Sequence, residues 1–144
     1  MGARCSRTFA YWPHNNTWKE LAPMYIPAVG HSMAVFDGHI YKCGGASEYW
    51  WLSACERLPV ATATAAGQWM AAPHLRTGRR SFALVTVGDQ LLAIGGTNGS
   101  AFLSSVEVLL AGAAEWALLV GAVEWTPLHD TEAAWASFGA AVVP

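Results

Sequence analysis

Ile40-Tyr41-Lys42-Cys43-Gly44-Gly45 and Leu91-Leu92-Ala93-Ile94-Gly95-Gly96 are two apolar runs, each stopped by a pair of glycines and set 51 residues apart. The same landmarks surround both pairs in the same phase. Eleven residues after the second glycine of each pair stands a glutamate, Glu56 or Glu107. Before each run lies another apolar stretch, 31–36 or 81–87, joined to it by Asp37-Gly38 or Gly88-Asp89. Those dipeptides suit tight hairpins that need positive φ. Trp18 and Trp69 are also 51 apart, and each is followed by a proline, Pro23 or Pro73. A single Gly-Gly reads as a loop; two in register with Trp, Pro and Glu are an internal repeat.

Each repeat predicts a small antiparallel sheet. Its first strand covers 32–36 or 82–87, and its second ends on the glycine pair. The third is centred on Glu56 or Glu107, and the fourth starts at Trp69 or at a tryptophan within 116–125. Four short strands do not bury both of their faces, so such units stack on copies of themselves. The glycines admit close backbone approach, and an indole fills the space between neighbouring sheets.

Composition agrees with stacked sheets and removes other classes. Of 144 residues 53% are apolar and 12% charged, the latter about half the share in an average soluble domain. Disorder needs low hydrophobicity and high net charge, and the net charge here is −2. Eight basic against ten acidic residues leave no footprint for nucleic acid. The most apolar stretch, 106–125, is interrupted by Glu107, Glu115 and Glu124, so its longest charge-free piece (116–123) is far short of the roughly 20 residues of a spanning helix. Residues 1–17 have no apolar core of a secretory signal. Three cysteines, Cys5, Cys43 and Cys55, show no metal-type spacing and are expected as free thiols in a reducing compartment. The expected location is cytoplasmic. Met1-Gly2-Ala3-Arg4-Cys5-Ser6 fits an acylation pattern as well.

Gly-Gly ending a second strand, an aromatic residue and then Trp, at a period near 50, resembles the kelch repeat, the blade of a β-propeller. Tyr11 and Trp18, with six residues between them, carry the family spacing, and the resemblance runs over 8–143. Leu58 and Leu109 stand where the family usually has Tyr, and 58–69 is four residues longer than 11–18. The third unit gives two counts. Forward from Glu107, Trp116 takes the tryptophan position. Backward from Ser137-Phe138, Trp125 does, and a nine-residue insertion over 117–125 reconciles them.

The resemblance implies an all-β fold of incomplete propeller blades, two full four-stranded blades plus two partial ones. Residues 1–7 form a tail, 8–24 the end of one blade, 31–74 and 81–127 the full blades, and 135–143 the first strand of the next. Propellers close with four to eight blades, so this phase reads as a fragment, a truncated product or an arc that needs other chains. The structural motif comprises Tyr11, Trp18, Gly44, Gly45, Trp69, Gly95, Gly96, Trp116 and Trp125, with Trp18 and Trp69 expected to be buried at blade contacts.

Strand alternation places the loops 46–52 and 97–103 on the same face as the loops 24–30, 74–80 and 128–132. Tyr49, Trp50, Trp51, Asn98 and Phe102 lie on the first set. Arg76, Arg79 and Arg80 lie on the second. Aromatic and Arg side chains on a rigid scaffold suit a protein partner, and three Arg within five residues suit an acidic peptide. No catalytic residue, metal site or cofactor is expected: the five His fall on separate elements, and no catalytic or phosphate-binding motif is present. The resemblance implies a non-catalytic interaction module. It also implies a role as substrate receptor of a cullin-3 ubiquitin ligase if a BTB domain accompanies the chain. A copper-oxidase type propeller or an actin-binding scaffold is the alternative.

Overall fold

The computed structural model describes residues 6–118, and the expectations for Trp125, 128–132 and 135–143 lie outside them. Ten strands occur among the described residues, without an α-helix: β1 (Thr8–Trp12), β2 (Thr17–Leu21), β3 (Ser32–Phe36), β4 (His39–Cys43), β5 (Cys55–Pro59), β6 (Met70–Ala72), β7 (Ala83–Val87), β8 (Gln90–Ile94), β9 (Val106–Leu110) and β10 (Ala117–Leu118). They pair as β1-β2, β3-β4-β5-β6 and β7-β8-β9-β10, every pair antiparallel.

The registers of the first three strands of the two four-stranded sheets coincide after the 51-residue shift, and the fourth strands match after a shift of 47. Cys43 faces Cys55 across β4 and β5 as Ile94 faces Val106 across β8 and β9. Both second strands stop immediately before their glycine pair. A Cβ on Gly44 would stand 2.5 Å from the Arg79 carbonyl oxygen, and one on Gly96 would stand 2.6 Å from that of Arg80. Gly44 therefore packs against the loop leading into the following sheet, whereas Gly45 and Gly96 pack against the loops entering their own sheets, and a side chain at any of the three would displace an entry loop.

The apolar core lies between the sheets. Leu21, Ala22, Met24, Leu58 and Trp69 close the contact of the β1-β2 unit with the first four-stranded sheet. Phe36, Tyr41, Leu75, Phe82, Leu91, Leu109 and Trp116 belong to the cluster between the two four-stranded sheets. Each buried indole also makes a polar contact across its interface. Trp69 Nε1 donates to the Ala22 carbonyl at 2.8 Å, and Trp116 Nε1 donates to the Pro73 carbonyl at 2.9 Å. Ala22 and Pro73 are 51 apart, so Trp116 occupies the position of Trp69 and the forward count holds. The extra residues of 58–69 are taken up by a single 3-10 turn, Val60–Thr62, and the bend after it.

Trp18 corrects one expectation. It is 69% exposed, whereas Trp69 and Trp116 are each 2% exposed. It stacks on Tyr11 at 5.1 Å on the face of β1-β2 turned away from the first four-stranded sheet. The partner that buries an indole at this position comes from the unit before it, and among the described residues no sheet stands there.

Candidate functional site

The loops between second and third strands meet the loops that enter each sheet, so both sets share one face. Backbone bridges Val29↔Ala46 and Arg80↔Thr97 join them, and Gly45 N donates to the Arg79 carbonyl at 2.8 Å. The loop 44–54 folds back through Ala46↔Trp51 and turns on Ser47, whose Oγ accepts from Trp50 N at 3.0 Å. The loop 95–105 repeats this with Thr97↔Phe102.

These local hydrogen bonds push the aromatic side chains outward. Tyr49 and Trp50 are more than 70% exposed, and Phe102 is 64% exposed. Trp51 is less so. Its ring lies against Gly99, where a Cβ would come within 2.5 Å of Trp51 Cζ2, and the Arg80 guanidinium stands 5.8 Å from its centroid. Trp51 thus bridges the two loops and carries Arg80. Asn98 is directed to its own turn, its Oδ1 accepting from Ser100 N and Ala101 N at 3.0 Å each.

The three-arginine cluster is corrected to two. Arg76 and Arg80 are exposed, but Arg79 is fully buried. Its Nη2 donates to Glu107 Oε1 at 2.6 Å and its Nη1 to the Gly95 and Ser105 carbonyls at 2.9 and 3.1 Å. Glu107 also accepts from Arg76 N at 2.6 Å and Thr77 N at 3.0 Å. Its carboxylate therefore pins the loop that presents Arg76. Glu56 does the same one repeat earlier, accepting from Tyr25 N at 2.9 Å and Ile26 N at 3.4 Å.

The cation differs between the repeats. Position 79 corresponds to Ala28, so in the first sheet the buried positive charge comes from β4. Lys42 Nζ sits 3.3 Å from Glu56 and donates to the Ile26 carbonyl at 2.8 Å. Burial pushes the Lys42 ammonium below its ordinary range against the opposing pull of Glu56. The repeat also exposes a residue that the loop reading missed. Tyr25 holds the place of Arg76 and is 67% exposed; subtracting 51 from Arg76 is the signal that finds it.

The thiol expectation is corrected as well. Cys43 and Cys55 form a disulfide across β4 and β5, and Cys5 lies outside the described residues. Cysteines twelve apart with no metal spacing gave no hint of register; the hairpin brings them opposite. Among the described residues no group of three or more His, Cys, Asp or Glu is placed to hold a metal. No helix there is long and apolar enough to cross a membrane.

The family model for the Kelch motif matches residues 78–117, from the loop entering the second four-stranded sheet to the start of its last strand. The first sheet repeats the register of the second sheet's first three strands, with the same glycine pair and, after four extra residues, the same buried indole. This chain carries the kelch motif. Kelch-like protein 13 of Homo sapiens is 33% identical to it over 94 residues, 62% of this chain and 14% of that protein. Kelch-like protein 9 of Mus musculus is 32% identical over 94 residues, 62% of this chain and 15% of that protein. Beta-scruin of Limulus polyphemus is 26% identical over 112 residues, 75% of this chain and 12% of that protein. The kelch chain thus spans less than a sixth of the length of each of these relatives. Its three antiparallel sheets are kelch-type blades, one incomplete and two four-stranded.

Proposed function

We propose that this kelch chain is a non-catalytic protein-interaction module and that the face formed by the 44–54 and 95–105 loops receives a protein segment. The observation that carries the reading is the cluster of exposed aromatic side chains, Tyr49, Trp50 and Phe102, on the same face as the exposed Arg76 and Arg80. Tyr25 extends the cluster. Large aromatic anchors beside guanidinium groups are the composition of binding hot spots, and the Arg pair favours a partner segment with carboxylates. Where a BTB domain accompanies the chain in the full-length protein, the module is the substrate-recognition part of a cullin-3 ligase adaptor, and its setting is the cytoplasm.

The test uses the full-length protein in cells, with partners recovered by proximity labelling. Trp50→Ala and the pair Arg76→Ala/Arg80→Ala are compared with the native protein at matched abundance. The expected result is at least a tenfold loss of the same partner in both variants. Removal of Trp50, a hot-spot anchor worth about 2 kcal/mol or more, should mainly speed dissociation, whereas removal of the arginines should slow association and flatten its salt dependence. Unchanged recovery in both variants refutes this face as the binding surface.

A further inference from the structure

We propose that Cys43 and Cys55 are a reversible thiol–disulfide site that sets the mobility of the loop carrying Tyr49, Trp50 and Trp51. The inference that this alters partner binding rests on the function proposed above; the modification itself does not.

The repeat supplies an internal comparison. The loops 44–54 and 95–105 have equal length and matching backbone bonds: Leu52 N donates to the Gly45 carbonyl as Leu103 N donates to that of Gly96, both at 2.8 Å. Gly44 N donates to the Ala54 carbonyl at 3.0 Å, as Gly95 N does to that of Ser105 at 3.2 Å. At the base of the second loop stands Ile94↔Val106, and at the base of the first stands Cys43↔Cys55. The second blade keeps the same loop without a cross-link, so the disulfide is not needed to form the blade. What it adds is a covalent tie around the loop that displays three aromatic side chains in a row, Tyr49, Trp50 and Trp51, the first two the most exposed.

The chemistry balances with a small-molecule disulfide as oxidant. One cysteine thiolate attacks it to give a mixed disulfide and release one thiol. The second thiolate then displaces the other thiol, forming Cys43–Cys55. A thiol reductant runs both steps backwards. The pair is buried, Cys43 at 0% and Cys55 at 2% exposure, so exchange waits on opening of the loop base rather than occurring at the surface. In the oxidised form the loop is held ready for a partner; in the reduced form ordering it becomes part of the cost of binding.

The experiment equilibrates the whole chain in glutathione buffers from fully reduced to fully oxidised. Alkylation under denaturing conditions followed by intact mass counts the free thiols, three of three when reduced. Amide hydrogen exchange over 44–54 is then compared in the two states, with 95–105 as the internal control. Expected are two thiols lost together on oxidation, at least tenfold faster exchange over 44–54 on reduction, and no change over 95–105. The variant Cys43→Ala/Cys55→Ala should exchange like the reduced chain in every buffer; the native chain in the two end buffers gives the answer by itself if that variant does not fold. Failure to form Cys43–Cys55 at any buffer ratio, or equal exchange over 44–54 in both states, overturns the proposal. The readout is the loop itself, so a partner that ignores Trp50→Ala would refute the functional reading and leave this result standing.

Discussion

Glu107→Ala removes a carboxylate that three donors share, the Arg79 guanidinium at 2.6 Å and the backbone N–H groups of Arg76 and Thr77 at 2.6 and 3.0 Å. Both members of the ion pair are fully buried. The substitution therefore leaves a guanidinium in the interior with only the Gly95 and Ser105 oxygens to solvate it. Removing one partner of a buried pair costs about 3–5 kcal/mol. The two freed amides lie in a part-buried loop that reaches water when it relaxes, so they keep the cost within that range rather than doubling it. At a urea slope of about 2 kcal/mol per molar, the unfolding midpoint followed by tryptophan fluorescence should fall by about 2 M. The discriminating variant is Arg79→Met/Glu107→Leu. It removes both charges and refills the volume, so it should recover at least about 1–2 kcal/mol relative to Glu107→Ala although the loop amides stay unpaired. A fall of less than about 0.5 M for Glu107→Ala, or a double variant less stable than the single one, refutes the argument that the unpaired charge dominates.

Trp69→Ala should cost about 3–5 kcal/mol in the same assay, since it empties a buried site and orphans the Ala22 carbonyl, whereas Trp18→Ala at the equivalent but exposed position should cost no more than about 0.5 kcal/mol. A large effect at Trp18 would show that its face is covered in solution. Acidification should destabilise the fold through His31. Burial, opposed by its contact with the Ala28 carbonyl at 3.1 Å and influenced further by Lys42 and Glu56, lowers its pKa below the ordinary value of 6.5. The unfolded chain then takes up the proton first as pH falls through 6.5, so stability is present above that value and is lost on the way down to the folded pKa. A His31→Gln variant should show a smaller drop in melting temperature between pH 7 and pH 5 than the native chain; equal drops would exclude His31 as the cause.

The strand ends, the tight turns and the blade period were legible because their causes are local. Positive φ at Asp37 is required within its own hairpin, and Gly44, Gly45 and Gly96 leave no space for a Cβ. A repeat prints those requirements twice, which is why the phase of Glu56 with Glu107 and of Trp69 with the tryptophans of 116–125 was readable without coordinates. The side chains of the candidate site divide differently. Arg76, Arg79 and Arg80 look alike as residues, and only the arrival of Glu107, 28 positions later, draws Arg79 into the interior and leaves the other two outside. Trp18 stands at the same position of the repeat as a buried blade tryptophan, yet its burial depends on a separate sheet. Cys43 and Cys55 pair because strand register sets them opposite each other, a fact that twelve residues of spacing do not contain. Sequence by itself determined the repeat, its strands and its turns, since backbone conformation answers to near neighbours. Tertiary structure decided which charges are buried, which indole is exposed and which thiols meet, because those outcomes depend on groups that the chain brings together only when the sheets stack.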